Sequence, residues 1–269
     1  MIMTIIIQHS LDENIAKKIS SKFQVFNTHI RHKIVSANLD DLRQQYQIDF
    51  NYLPKLDLSS IKLFVSDMDS TLINIECIDE IADFANIKRE VGIITELTMQ
   101  GKLDFASSLF KRVSLLKGLS VDVLDKVYTQ RLSVSLGGRS LISFFKTKFI
   151  KTAIVSGGFT YFTNRLVKDL AIDYACANVL SIENNQLTGV TEGLIINAQA
   201  KSDFVKSLCD KQGWSYSQVI VVGDGVNDLD MMNIAGLSVA YHAKPSIIKH
   251  VDIIINFGGL DKMIDLFNQ

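Results

Sequence analysis

The chain predicts an α/β fold in which a mostly parallel sheet lies under a helical insertion and follows a small N-terminal α/β appendage. Three observations carry that prediction. Short, continuously apolar runs at residues 63–66, 152–155 and 219–222 read as buried strands, and each ends in a polar or glycine-rich turn. Helical spacing of apolar residues fills the stretches between them, the alternation that parallel sheets need. Between the first two runs, about residues 78–132 form an insertion too long for a simple crossover.

Residues 2–7, β-branched almost throughout, predict a short buried strand. Ile15, Ala16, Ile19 and Phe23 recur at helical spacing and predict a helix over 11–23, with Ser10 or Asp12 as its N-cap. A strand over 31–37 and a helix over 39–46 follow. Pro54, in Tyr52-Leu53-Pro54-Lys55, breaks the pattern and marks a linker. The appendage therefore spans 1–58 and the main domain 59–269. In the main domain, strands are predicted at 62–66, 151–155, 219–222, 237–240 and 252–255. Ile81, Phe84 and Ala85, then Leu109, Val113 and Leu116, make the insertion a helical cap over the strand ends. A smaller insertion over 179–196 turns at Asn184-Asn185-Gln186 and reads as a hairpin.

Composition narrows the classes of function. Of 269 residues, 47% are hydrophobic and 21% charged, with two prolines, which supports a buried core and excludes disorder. A net charge of −1 without a basic stripe argues against nucleic-acid and anionic-membrane partners. No run approaches the roughly 18 apolar residues of a membrane span, and the N-terminus lacks a basic signal-peptide region. Cys77, Cys176 and Cys209 have no zinc spacing and read as reduced thiols of a cytoplasmic protein. Cys77 has no activating histidine nearby, and the five histidines show no metal spacing.

The first apolar strand runs into Asp67-Met68-Asp69-Ser70-Thr71. Two carboxylates at a strand end, beside N–H groups freed by the turn, form a site for Mg²⁺ and phosphate together. One carboxylate could attack phosphorus while the other moves the leaving group's proton. These residue types also favour plain turns, and the motif alone leaves both readings open.

Asp-x-Asp-Ser-Thr resembles the first motif of the haloacid dehalogenase (HAD) superfamily of phosphatases. Three further motifs of that superfamily follow in order: a strand ending at Ser156-Gly157-Gly158, a lysine at Lys201, and an apolar strand ending in Gly223-Asp224-Gly225-Val226-Asn227-Asp228. Glu76-Cys77-Ile78-Asp79-Glu80, Met99-Gln100-Gly101-Lys102-Leu103-Asp104-Phe105 and Leu109-Phe110-Lys111-Arg112-Val113-Ser114 bring the likeness closer, to the phosphoserine phosphatase family. It covers about residues 60–255 and excludes the appendage.

The resemblance implies a HAD-like, Rossmannoid core and hydrolysis of phosphoserine through an aspartyl-phosphate. It implies Asp67 as nucleophile and Asp69 as general acid–base. Mg²⁺ is then held by Asp67, the Asp69 carbonyl and Asp224, with Asp228 supporting them from behind or, as the alternative, ligating directly. Ser156, Gly157 and Lys201 bind phosphoryl oxygens. Glu76 and Arg112 bind the substrate's ammonium and carboxylate, and Asn227 helps hold substrate or Asp69. Met68 stands where many relatives carry Phe. The expected partner is a small phosphomonoester, and the protein a monomer or homodimer. A phosphatase or phosphotransferase acting on a relative such as phosphohomoserine is the alternative. From another class comes a silent amino-acid sensor, which has no need of the intact Asp67, Asp69, Lys201 and Asp224.

Overall fold

The computed structural model describes residues 3–7, 31–34, 39–52 and 57–267. In the appendage, strand β1 (Met3–Ile7) pairs antiparallel with β2 (Arg31–Ile34) on one side. On its other side it pairs with β3 (Phe50–Tyr52). Helix α1 (Leu39–Tyr46) precedes β3, with Asp40 and Asp41 in its first turn, where the helix dipole favours negative charge. The expected helix over 11–23, the end of the strand over 31–37 and the linker at Pro54 lie outside the described residues. Strand β3 was not foreseen: three residues with a polar Asn51 at the centre resemble a linker.

The main sheet has seven strands in the order β10-β9-β8-β4-β5-β6-β7. They are β4 (Leu63–Ser66), β5 (Lys151–Phe159), β6 (Tyr174–Glu183), β7 (Gln186–Glu192), β8 (Val219–Gly223), β9 (Leu237–Tyr241) and β10 (Ile253–Ile255). Every pairing is parallel except the β6–β7 hairpin. Asn184 and Asn185 turn that hairpin at φ 49 and 61, the left-handed pair that a two-residue turn requires.

All of β4 and β8 is buried, as a parallel sheet covered on both faces demands. Alternation sends Phe64, Ile154, Ile220 and Val222 into one core, and Leu63, Val65, Val155 and Val221 into the other. Cap helix α2 (Cys77–Phe84) enters the first core, α3 (Lys88–Met99) packs on α2 and on α4 (Phe105–Ser114), and α4, α5 (Asp122–Gln130) and, behind them, α6 (Gly138–Thr147) enter that core as well. Helix α7 (Thr160–Leu170) also packs on this side. The second core lies under α8 (Ala198–Gln212) and α9 (Leu229–Ile234). The cap rejoins the core where Ile73 bridges Val134, so its two connecting strands lie side by side.

The chain builds outward from β4 in both directions, through β5 and β6 on one side and β8 to β10 on the other. The strand order therefore reverses at β4, and ligands of open α/β sheets bind beyond such a point.

The appendage is anchored to the far edge of this sheet. Asp49 is fully buried and accepts hydrogen bonds from the N–H groups of Asn256 (2.8 Å) and Phe257 (3.0 Å). Asn51, 1% exposed, donates to the carbonyl of Ile254 and accepts from its N–H, at 2.8 and 2.9 Å. Two side chains thus substitute for a neighbouring strand along β10. Arg43 braces them through the Phe50 carbonyl and Asn51 Oδ1.

Asp49→Ala should lower unfolding free energy by about 1–3 kcal/mol, because two main-chain donors lose their acceptor. Hydrogen exchange at Asn256 and Phe257 should accelerate with it. Unchanged exchange at those amides would show that Asp49 does not hold the edge.

Candidate active site

Asp67 sits just past β4, its N–H bound to the Val222 carbonyl at 2.9 Å, so the ends of β4 and β8 are held together. Residues 68–72 then wind through an irregular turn in which Ser70 adopts φ 55. That turn brings Asp69 back over the strand end. Its Oδ1 accepts from the Cys77 N–H at 2.9 Å, and its Oδ2 from Ser156 Oγ at 3.3 Å. Met68 is fully buried.

Lys201 reaches the same point from α8, whose N-cap Asn197 accepts from the Ala200 N–H at 2.9 Å. Its side chain is 1% exposed, and Nζ lies 2.6 Å from Asp67 Oδ1 and 2.8 Å from Asp228 Oδ1. The other oxygen of Asp228 accepts from the N–H groups of Asp224 (3.2 Å) and Gly225 (3.1 Å). Asp228 is thus a direct partner of Lys201 and also organises the Asp224 loop.

Electrostatics follow from crowding acids out of water. Burial pushes the Asp67 carboxyl well up, with Lys201 opposing and Asp228 reinforcing the shift. Asp69 is raised chiefly by burial, and Asp224 is pushed up to about 6 by burial and then by Asp228. Lys201 is raised because Asp228 and Asp67 outweigh its own burial. Burial and Asp69 hold the Cys77 thiol up and protonated, which removes it as a nucleophile.

Among the described residues, Asp67, Asp224 and Asp228 each offer an oxygen within 4.8 Å of the others, a set able to hold a metal ion. The donors are all hard oxygens, and with Asp69 there are four buried or half-buried acids around one ammonium. That chemistry fits a small divalent cation such as Mg²⁺. The Asp69 carboxylate stands apart, engaged by Cys77 and Ser156.

Toward the end of β5, Ser156 is buried and accepts from the Gly158 N–H at 2.8 Å. Close approach requires glycine here. A Cβ on Gly158 would collide with Asp69 Oδ2 and Met68 Cε, and one on Gly157 would fall 2.9 Å from the Phe105 ring. Phe105 thus brings α4 of the cap down onto the Ser156–Gly158 segment. Asn178, invisible to motif reading, holds this loop from behind through Gly157 O at 2.8 Å.

The cap contributes Glu76, at the start of α2, and Arg112, in the last turn of α4. Glu76 Oε1 accepts from Ser70 Oγ at 2.7 Å; it keeps contact with solvent while its recess and Asp69 push its carboxyl up to about 7. Arg112 is half-buried, with Nε lacking a hydrogen-bond partner, and the acids acting on it are Asp79, then Glu76 and Asp69. Asn227 lies half-buried in the Asp224–Asp228 loop.

Lys201→Met, in chelated protein, should lower unfolding free energy by about 3–5 kcal/mol, because it strands two buried carboxylates. Urea unfolding measures this, and an unchanged midpoint would mean that the lysine does not neutralise the acids.

Comparison with known proteins points one way. Residues 61–236 match the haloacid dehalogenase-like hydrolase family. A phosphoserine phosphatase of Polaromonas sp. is 48% identical over 218 residues, 79% of this chain and 92% of that protein. A HAD family hydrolase from Salmonella enterica serovar Typhi superposes with a TM-score of 0.90 at 30% identity, covering 100% of this chain and 99% of that one. A probable phosphoserine phosphatase from Vibrio cholerae superposes at 0.84 with 34% identity, over 98% of this chain and 86% of that one.

Proposed function

The chain belongs to the phosphoserine phosphatases of the haloacid dehalogenase-like hydrolases, and from that premise we propose that it hydrolyses O-phospho-L-serine to L-serine and phosphate, the last step of phosphorylated serine synthesis. The observation that carries the chemistry is the different setting of the first motif's two acids. Asp67 faces Lys201 within the cation-binding cluster, whereas the Asp69 carboxylate is held outside it by Cys77 and Ser156.

In this reading an Asp67 carboxylate oxygen attacks phosphorus in line and forms an aspartyl-phosphate. Asp69, carrying a proton, delivers it to the departing serine oxygen and later takes one from the attacking water. Ser156, the Gly157 N–H and Lys201 hold the phosphoryl oxygens as charge develops on them. Asp67 and Asp224 would hold Mg²⁺ through carboxylates and Asp69 through its carbonyl, supported by Asp228. Bound there, the ion supplies charge neutralisation at the phosphoryl group.

Recognition of the serine end falls to the cap. Glu76 takes the ammonium and Arg112 the carboxylate, for which its planar fork is suited. Asn227 steadies substrate or Asp69. The appendage over 1–58 supplies none of these groups, and the cap (about 78–132) and hairpin (about 179–196) are insertions in the 59–269 unit. The protein acts on a small molecule in the cytoplasm. Among the described residues, no helix is long and apolar enough to cross a membrane.

Asp67→Asn should abolish turnover with the fold intact, since an amide keeps the shape but is a very poor nucleophile; near-normal phosphate release would rule out the covalent route. Chelation should remove activity and Mg²⁺ restore it, with Ca²⁺ a poor substitute because of its larger, looser coordination sphere. Full turnover in exhaustively chelated protein would contradict the metal assignment. Arg112→Lys should reduce kcat/KM on phosphoserine by about 10-fold or more, the worth of a charged hydrogen bond, while sparing an aryl phosphate without a carboxylate. Equal losses on both substrates would remove Arg112 from serine recognition.

A further inference from the structure

The segment that carries Ser156 interrupts the ladder between β5 and β6. Val155 pairs with Cys176 and Phe159 with Asn178, so four steps along β5 answer two along β6. The surplus bulges toward the site, as extra residues in a strand do. Main-chain groups in such a bulge still need partners when they are buried.

Asn178, 1% exposed, supplies them. Its Nδ2 donates to the Gly157 carbonyl at 2.8 Å, and its Oδ1 accepts from the Ile196 N–H at 2.9 Å. The Gly157 carbonyl and the Gly158 N–H belong to one rigid peptide plane. That plane is pinned at both ends: Asn178 holds the carbonyl, and the N–H donates to Ser156 Oγ at 2.8 Å. A hydroxyl that accepts on one side keeps its own proton for the other. On that other side lies Asp69 Oδ2, 3.3 Å away.

We infer that Asn178 is a positioning residue for phosphoryl transfer, acting through the 157–158 peptide to aim the Ser156 O–H into the site. Its second bond joins this loop to Ile196, next to Asn197, the cap of the helix that carries Lys201. One buried amide thereby registers two phosphoryl-binding elements, the β5 bulge and helix α8. The inference rests on the proposed phosphatase chemistry and is independent of which alcohol carries the phosphate.

The competing explanation is a structural staple, and Asn178→Asp separates the two. It keeps the shape and an acceptor for the Ile196 N–H, but loses the donor toward Gly157 O. In the full chain, kcat should fall about 10- to 100-fold on both phosphoserine and a small aryl phosphate, the scale of misplacing a catalytic group. Inhibition by orthovanadate should weaken by a comparable factor, while inhibition by L-serine should stay within about twofold, since its binding groups come from the cap. Asn178→Ala, which loses both bonds, should be at least as damaging and gives a second route if the first variant fails to fold. Wild-type kcat and vanadate binding in Asn178→Asp would overturn the inference in favour of a staple. Equal weakening of vanadate and L-serine would overturn it in favour of general collapse of the site. A wild-type protein inert on phosphoserine but active on the aryl phosphate would sink the substrate reading and with it the L-serine control, leaving the aryl-phosphate and vanadate arms to decide this inference.

Discussion

The structure depends on one buried ammonium. Lys201 is placed between Asp67 and Asp228 where water scarcely reaches, and each of the three would be costly to bury alone. Bringing them together takes much of the fold. The β4–β8 pairing sets Asp67 beside the Asp224–Asp228 loop, and a 15-residue helix capped by Asn197 delivers the lysine. Lys201, together with the exposed Lys244 that acts on Asp224, does not balance Asp67, Asp228, Asp224 and the nearby Asp69. The site is therefore built short of cations, which suits it to bind a divalent ion and to hold a phosphoryl group beside that ion.

Around this centre, backbone does what side chains would obstruct. The turn after β4 takes a left-handed step at Ser70 and leaves Asp69 facing donors that Asp67 does not share. The bulge in β5 presents Ser156 and two glycines with no room for a Cβ. The cap adds what the sheet cannot, an acid and an arginine at a distance from the end proposed to bind the phosphoryl group. Phe105 packed over Gly157 ties those cap residues to the core.

Much of this was legible in the sequence, for identifiable reasons. Strands β4 and β8 are buried on both faces, so they read as unbroken apolar runs with polar tips. The hairpin showed itself through Asn184-Asn185, whose left-handed pair the structure retains. Motif order exposed the acids, Ser156 and Lys201 as a set. What stayed hidden depends on distant partners. Asn51 looks like a linker residue until the main chain of Ile254, some 200 positions away, comes beside it. Asn178 is one asparagine in a β-rich segment, and its value comes from a bulge in the neighbouring strand. The direct contact of Asp228 with Lys201 likewise depends on how the 224–228 loop folds back.

The central claim is that Asp67, held by Lys201 at the end of β4, becomes covalently phosphorylated. Borohydride reduction during steady-state turnover of phosphoserine tests it directly, because an acyl phosphate is reduced to an alcohol while a free carboxylate is not. Peptide mass spectrometry should then find homoserine at position 67, dependent on substrate and absent elsewhere in the chain. An unmodified Asp67 in protein that was turning over, or reduction at a different carboxylate, would contradict the account.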